Sequence, residues 1–262
     1  MGGKAVAVVT ITADFGGHYA GIIAGVVKSV APSAEVMVLS TEVKPFDIKG
    51  GAFMLLSSYK YFPSGTIHLA VVDPGVGSAR KAVAIKTRNY MFVGPDNGLL
   101  SLAAEDDGAE AVYEISGMRL PAGNKETSAT FHGRDIFAPA AGYLANGGSI
   151  EWIGARLGGY QRVAFAKTAG ERSITGEVIY VDRFGNLTLS ISEKDVELEG
   201  DIAVVIGGKQ YGARRAPTYA EGGRGLSLLV GSAGFYEIAV KEGSAERVTG
   251  ASSGDTVTIT RV

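Results

Sequence analysis

Apolar residues in the first two thirds of the chain occur in two kinds of run. Nearly continuous β-branched runs are typical of strands in a sheet covered on both faces, and apolar residues at a spacing of three to four are typical of helices. Strands are predicted at residues 4–12, 35–39, 66–73, 82–87, 90–94 and 111–115, and helices at residues 19–31, 48–61, 99–105 and 136–144. This alternation favours an α/β fold with a mostly parallel, Rossmann-like sheet in a three-layer sandwich.

The last third of the chain has a different pattern. Residues 166–173 are polar and contain glycine, and beyond them we find no convincing helical run. Short strand-like runs lie at residues 176–182, 186–191, 202–206, 209–213, 225–230, 235–240 and 256–261. Strands of this length separated by glycine predict a small all-β barrel or sandwich. We therefore expect an α/β catalytic domain at residues 1–165, a linker at 166–173 and a C-terminal β-barrel domain at 174–262.

Composition narrows the class of protein. Of the 262 residues 46% are hydrophobic, enough for a sizeable core, and the net charge of −2 gives no electrostatic reason to expect nucleic acid or an anionic membrane as partner. The chain has no cysteine, which excludes disulfides, thiolate nucleophiles and cysteine-based metal sites. The apolar run near the start is short for a signal peptide, and no run approaches the ~18 apolar residues of a membrane span. We expect a soluble, cytoplasmic protein that binds a small molecule.

Three loops combine turn residues with side chains that can carry chemistry. Asp14 follows the first predicted strand, and His132 precedes the last predicted helix. Asp73 ends the third strand in an Asp-Pro-Gly turn, seven residues before Arg80. Because ligands of open α/β sheets bind at the carboxyl ends of strands, we expect these loops to converge. Each also has a structural interpretation: the first aspartate as a helix cap, the Asp-Arg pair as a loop-fixing ion pair, and the histidine as a satisfied structural residue.

Common cofactor motifs are incomplete in this sequence. The loop at residues 75–80 begins like a dinucleotide-binding loop, but Arg80 stands where the third glycine belongs. The sequence contains no P-loop and no H-E-x-x-H zinc motif. We therefore expect neither a Rossmann cofactor nor a metal ion.

Six separated motifs together point to one family. They are residues 14–16 (DFG), 71–77 (VVDPGVG) with Arg80, 94–98 (GPDNG), 130–135 (TFHGRD), 182–186 (DRFGN) and 231–234 (GSAG). In this order they resemble the S-adenosyl-L-methionine hydroxide adenosyltransferase family, which is related to the fluorinase and chlorinase. The resemblance extends from residue 14 to about residue 240.

The resemblance implies a fold, a reaction and an assembly. The fold is an α/β domain followed by a β-barrel, and the assembly is a homotrimer with sites between the first domain of one subunit and the second domain of the next. In the reaction, water attacks the ribose C5′ of S-adenosyl-L-methionine and expels L-methionine, forming adenosine without an added cofactor. A non-catalytic sensor that binds adenosine or S-adenosylmethionine is the alternative that the same pocket allows.

Roles for individual residues also follow from the resemblance. Asp73, Arg80 and His132 match the set that activates water, and Asp14 matches the carboxylate that holds the ribose hydroxyls. The other implied substrate-binding residues are Phe131 at the C5′ pocket, Phe184 and Asn186 at adenine, and Asp182, Ser232, Glu237 and Val240 around adenine and the methionine amino-acid group. The motifs leave open how Asp73 and His132 share the proton of the attacking water.

Overall fold

The computed structural model describes residues 6–116 and 128–261. The chain divides into two compact units, Met1–Val163 and Ala164–Val262. Residues 166–173, expected to be a linker, contain a short strand at Thr168–Ala169 that pairs with the strand Ser173–Val181. They therefore lie within the second unit. In the described part of the chain, no helix combines the length and the apolar character that crossing a membrane requires.

The first unit contains one sheet with helices on both faces. Its elements in chain order are β1 (Val8–Ala13), α1 (Gly17–Val30), β2 (Glu35–Ser40), α2 (Ile48–Ser58), β3 (Ile67–Val71), β4 (Ala82–Thr87), β5 (Met91–Pro95), α3 (Ser101–Asp106), β6 (Ala109–Glu114), α4 (Ala138–Ala145) and β7 (Arg156–Leu157). One π-helical turn, Gly133–Phe137, leads directly into α4. The predicted start of the first strand at Lys4 lies outside the described residues.

The sheet of the first unit is mixed. Among the described residues its strand order is β2-β1-β3-β5-β4-β6-β7. β2, β1, β3 and β5 pair in parallel, whereas β4, β6 and β7 pair antiparallel to their neighbours. Only residues 88–90 separate β4 from β5, a connection far too short for the crossover that parallel pairing needs. The α/β class is confirmed, with parallel pairing confined to one half of the sheet.

Strand β3 is buried on both faces of this sheet. Ile67, Leu69 and Val71 contact a core that α1 and α4 cover. Ala70 and the following Val72 contact a second core that α2 and α3 cover. Because side chains alternate between the faces of a strand, burial of both faces requires a continuous apolar run. This explains the sequence pattern before Asp73 and places the end of β3 at an edge of a three-layer structure.

The second unit is a closed β-barrel. Its elements are β8 (Thr168–Ala169), β9 (Ser173–Val181), β10 (Leu187–Ser192), β11 (Asp201–Ile206), β12 (Lys209–Arg215), β13 (Leu226–Val230), β14 (Phe235–Val240), α5 (Ala245–Thr249) and β15 (Thr256–Arg261). The strand order β10-β14-β13-β12-β11-β15-β9 closes on itself because β10 also pairs with β9. The predicted barrel is confirmed.

Helix α5 corrects the expectation that this part of the chain has no helix. Ser244 caps it, with its Oγ accepting a hydrogen bond from Arg247 N at 3.1 Å, and Gly250 ends it with a φ of 73°. Both are ordinary helix-end signals. The helix has only five residues, which is too few for helical periodicity to be seen in the sequence.

One buried histidine of β3 makes the stability of the fold depend on pH. His68 has no exposed surface, its Nδ1 lies 2.8 Å from Thr10 Oγ1, and no group of the described residues bonds its Nε2. Burial lowers the pKa of His68 to about 4, although Asp107 opposes the shift. Below pH 6.5, His68 of the unfolded chain therefore binds a proton, whereas His68 of the folded chain binds one only near pH 4. The free energy of unfolding therefore falls as the pH drops from 6.5 toward 4.

Urea unfolding at pH 7.5 and pH 4.5 tests this expectation. The wild type should lose about 2–3 kcal/mol through His68 between these two values, and His68→Leu should lack that part of the loss. His18→Gln, which changes an exposed histidine of α1 and leaves His68 buried, is the matched control and should retain the loss that His68 causes. The same pH dependence in His68→Leu and in wild type would contradict the assignment.

Candidate functional site

Two candidate aspartates follow neighbouring parallel strands. β1 and β3 pair directly, with Ala13 opposite Val71, so Asp14 and Asp73 leave the sheet at the same edge. Asp14 Oδ2 accepts a hydrogen bond of 2.9 Å from the backbone N of Phe46, which lies between β2 and α2. The first two predicted loops therefore emerge from adjacent strands.

The structure does not support a helix-cap interpretation of Asp14. Helix α1 begins at Gly17, and its N-cap is Gly16, which has no side chain with which to cap. The aspartate instead accepts a hydrogen bond from the backbone of another segment. Its carboxylate therefore joins two loops at the sheet edge.

Asp73 and Arg80 form a forked ion pair. Arg80 Nε donates to Asp73 Oδ1 at 2.9 Å and to Oδ2 at 3.0 Å, and Arg80 Nη2 also donates to Oδ2. The two side chains are only 5% and 11% exposed, so water screens their charges poorly. The guanidinium lies 5.2 Å from the centre of the Phe137 ring, and this contact restrains its plane. The carboxylate is held in one orientation.

Gly77 brings the loop of this ion pair against the segment that precedes His132. Its φ is 80°, and a Cβ at this position would lie 2.6 Å from the carbonyl oxygen of Ala129. Glycine alone combines that backbone conformation with so close an approach. The contact explains how residues far apart in sequence meet at one site.

His132 is bonded to the same arginine. Its Nδ1 lies 2.8 Å from Arg80 Nη2. Because a guanidinium can only donate, Nδ1 accepts, and the neutral ring carries its proton on Nε2. Burial and then the charge of Arg80 lower the pKa of His132, while Asp73 and Asp135 oppose the shift. The structure thus brings Asp73, Arg80 and His132 together with the arginine in the middle.

Phe131 lies in a small aromatic cluster. Its ring centre is 6.2 Å from that of Phe15 and 5.2 Å from that of Tyr19, both in edge-on geometry. Arg134 Cζ lies 5.3 Å from the centre of the same ring. Since Phe15 follows Asp14 directly, the cluster connects the loop after β1 with the segment that carries His132.

The second unit contains a cavity of about 780 Å³ that is lined by four of the predicted substrate-binding residues. These four are Asp182, Phe184, Asn186 and Val240. Asp182 Oδ1 accepts from the backbone N of Phe184 and of Asn186, both at 2.9 Å, and its Oδ2 accepts from Asn186 Nδ2 at 2.9 Å. Asp182 therefore orders the DRFGN loop through all of these contacts.

The loop that Asp182 orders packs against α5. Gly185 has a φ of 79°, and a Cβ there would lie 2.1 Å from Ser244 Oγ. Its carbonyl accepts from Glu246 N at 2.9 Å. Helix α5, which the sequence pattern did not reveal, therefore supports the loop that carries the predicted adenine-binding residues.

Glu237 and Ser232 lie outside the lining of this cavity. Glu237 Oε2 accepts a hydrogen bond of 2.5 Å from Tyr219 Oη, and Tyr219 does line the cavity. Burial raises the pKa of Glu237, and the hydrogen bond from Tyr219 opposes that shift. Ser232 is exposed in the turn before β14. Tyr219 was missed because a single tyrosine in a glycine-rich loop carries no motif.

The described residues contain no group of three or more His, Asp or Glu side chains placed to hold a metal ion, and the expectation that the protein binds no metal stays a prediction. Among the candidate residues of the first unit, Asp73 and His132 are joined by Arg80, which is hydrogen-bonded to both.

Two family models match most of the chain. The SAM hydroxide adenosyltransferase N-terminal domain matches residues 9–154, and the SAM hydroxide adenosyltransferase C-terminal domain matches residues 176–258. These spans fall within the first and the second unit respectively.

Individual relatives agree with the family models. An (R)-S-adenosyl-L-methionine hydrolase from Thermus thermophilus is 38% identical over 92% of this chain and 94% of its own. Another, from Methanocaldococcus jannaschii, is 33% identical over 88% of this chain and 87% of its own. The crystal structure of an uncharacterized conserved protein from Thermotoga maritima is similar with a TM-score of 0.88 at 35% identity, covering 97% of this chain and 100% of that one. The chain belongs to the SAM hydroxide adenosyltransferase family.

Proposed function

We propose that the protein hydrolyses S-adenosyl-L-methionine to adenosine and L-methionine. The observation that carries the proposal is the hydrogen-bonded set Asp73, Arg80 and His132 at the sheet edge, in a chain whose relatives are named for this activity. The water oxygen bonds to C5′, the bond from C5′ to sulfur breaks with its electron pair remaining on sulfur, and one proton is released. Because sulfur leaves as a neutral thioether, the leaving group needs no acid.

The geometry supports different roles for the two groups that flank Arg80. Nδ1 of His132 is occupied by the arginine, so Nε2 is left as a donor. The Asp73 carboxylate has lone pairs beyond those that Arg80 uses. We assign acceptance of the water proton to Asp73, orientation of that carboxylate to Arg80, and a hydrogen bond to the water oxygen to His132. This arrangement removes the need for His132 to take up a proton beside a guanidinium.

Orientation is the main catalytic contribution in this assignment. A water molecule held between an acceptor and a donor can be aimed at C5′ in line with the departing sulfur. Holding two reacting groups in such geometry is worth roughly 7–11 kcal/mol of barrier in favourable cases. The poorly exposed ion pair serves this purpose because its two side chains have little freedom to move.

The remaining predicted residues are assigned to substrate binding. Asp14 would accept the two ribose hydroxyls, as a carboxylate with two oxygens can. Phe131 would form the wall beside C5′, within its aromatic cluster. In the second unit the assignments are Phe184 and Asn186 to adenine, and Asp182, Ser232, Glu237 and Val240 to the surroundings of adenine and the amino-acid group. The cavity lined by four of these residues supports the assignment.

We also propose a homotrimer in which each site combines the first unit of one subunit with the second unit of the next. The family resemblance supports this arrangement, and the mass of the protein in solution, measured by light scattering, tests it. An active monomer would contradict it. The proposed partners are S-adenosylmethionine and adenosine, with no nucleic acid and no membrane, and the proposed location is the cytoplasm.

Incubating the protein with S-adenosylmethionine in ¹⁸O-labelled water tests the function. We expect adenosine labelled at its 5′ oxygen and unlabelled L-methionine, detected by liquid chromatography and mass spectrometry. Because the proposal includes no cofactor, treatment with EDTA followed by desalting should leave the rate unchanged. The relatives' names specify the R form, so the R and S epimers at sulfur are assayed separately, with the R epimer expected to react faster.

Molar chloride or fluoride provides a second arm of the same experiment. A halide at the attack position would meet the buried carboxylate of Asp73, whose charge repels an anion strongly where water screens poorly. We therefore expect no 5′-halo-5′-deoxyadenosine. Binding of S-adenosylmethionine without any product would instead favour the sensor, and a halogenated product at a comparable rate would contradict the choice of water as nucleophile.

A further inference from the structure

Asp135 is a buried carboxylate at the candidate site that none of the roles assigned above uses. It is 4% exposed and lies in the first turn of the π-helical segment, three residues after His132. Its Oδ1 accepts from Arg134 Nε at 2.6 Å, and its Oδ2 accepts from Arg134 Nη2 at 2.9 Å. Its Oδ2 also accepts from the backbone N of Ser128 at 2.8 Å. A buried charge with this many donors is firmly held.

These hydrogen bonds close a loop around His132. Ser128 lies before the histidine and Asp135 lies after it, so the carboxylate joins the two ends of the segment 128–135. The backbone N of Asp135 donates to the carbonyl of Phe131 at 3.2 Å, within the same segment. Arg134, held by the carboxylate, packs against the Phe131 ring. One side chain therefore restrains both Phe131 and His132.

His132 itself is held on Arg80 by one hydrogen bond, so its position is sensitive to the conformation of the segment that carries it. A shift of about 1 Å in a group that orients a reactant can lower a rate by roughly 10²-fold. Asp135 is also one of the charged groups facing the histidine, together with Arg80 and Asp73. Its negative charge raises the pKa of His132, and so opposes the lowering caused by burial and Arg80.

We propose that Asp135 is a positioning residue for the hydrolysis reaction: it joins Ser128 to Arg134 and thereby holds His132 Nδ1 on Arg80 with Nε2 directed to the attacking water. The proposal rests on the proposed function. It differs from a purely structural role, in which the carboxylate would stabilise the fold without affecting the position or the pKa of His132.

Asp135→Asn tests the proposal because it keeps the size of the side chain and one acceptor oxygen while it removes the charge. Asp107→Asn is the matched control. Asp107 is 7% exposed and accepts from Thr87 Oγ1 at 2.6 Å and from Asn89 N at 2.8 Å. It lies beside the turn from β4 to β5, at the opposite end of β3 from Asp73. Both variants remove a buried, hydrogen-bonded carboxylate.

Two measurements separate positioning from stability. The first is kcat and KM for each variant, with thermal unfolding recorded in parallel. The second is the pKa of His132 measured by proton NMR of the histidine ring, with the signal assigned by its loss in His132→Gln. The NMR measurement needs no turnover, so it tests the proposal even if the wild type were inactive and the proposed function failed.

For Asp135→Asn we expect kcat to fall about 10- to 100-fold with KM changed less than about threefold, and the pKa of His132 to fall. Asp107→Asn should lower the unfolding temperature comparably, move the pKa of His68 rather than that of His132, and retain kcat. Equal losses of kcat in the two variants, or an unchanged pKa of His132 in Asp135→Asn, would overturn the proposal.

Discussion

Replacing Asp73 by Asn should reduce kcat by about 10²–10⁴-fold, the range typical for loss of a general base. The amide keeps the shape of the side chain but has no negative charge with which to accept a proton from water. The change also leaves Arg80, which is only 11% exposed, without its counter-charge. Single-turnover measurements report the chemical step directly. Isothermal titration with adenosine should show a Kd within about threefold of wild type, because Asp73 is not assigned to the nucleoside.

Asp195→Asn is the control for this variant. Asp195 pairs with Lys167 and accepts from Ser192 N at 2.8 Å, so its replacement also breaks an ion pair and a backbone hydrogen bond. It belongs to neither set of candidate residues, and we expect its kcat to match wild type. An Asp73→Asn protein with near-normal turnover would show that another group accepts the proton.

The second large effect is expected for Arg80→Lys, which should lower kcat by about 10²–10³-fold although the charge is retained. Arg80 uses Nε and Nη2 for Asp73, and Nη2 also contacts His132 Nδ1. A lysine ammonium is a single point of donation and cannot reproduce this planar fork. Steady-state and single-turnover kinetics with S-adenosylmethionine measure the loss.

Arg162→Lys provides the control for loss of the guanidinium fork. Arg162 pairs with Glu105 at 2.7 Å, but the two side chains are 70% and 43% exposed. Such surface pairs contribute little, and we expect wild-type activity. The double variant Asp73→Asn/Arg80→Lys should be little slower than Asp73→Asn alone, because groups that act as one unit are not additive. Additive losses would indicate that the two residues contribute independently.

Much of the fold could be predicted because local pattern and burial agree in this chain. β3 is apolar on both faces because helices cover both, and its run in the sequence is correspondingly continuous. Two features were missed. The alternation of strands and helices favoured parallel pairing, although the three residues between β4 and β5 allow only an antiparallel pair, and α5 is too short to show periodicity.

The candidate site could be predicted in part for a similar reason. Asp14 and Asp73 end strands that pair in parallel, and the topology alone then places them at one edge. Tyr219 could not be predicted, because its hydrogen bond to Glu237 joins the loop between β12 and β13 to strand β14, and the two segments share no sequence pattern. The sequence also did not show that α5 supports the DRFGN loop, because these two segments share no sequence pattern either.

The sequence by itself determined the fold class, the edge of the sheet where the first-unit candidates lie and the identity of the candidate residues, since these follow from alternation, turn chemistry and motif. Only the tertiary structure decided how those residues act on one another. Arg80 and His132 are 52 positions apart, and the direction of the hydrogen bond between them determines which ring nitrogen carries the proton. Such a bond depends on distances of a few tenths of an ångström between side chains. Packing of the loops against each other sets those distances, as at Gly77 and Ala129, and local sequence does not encode them.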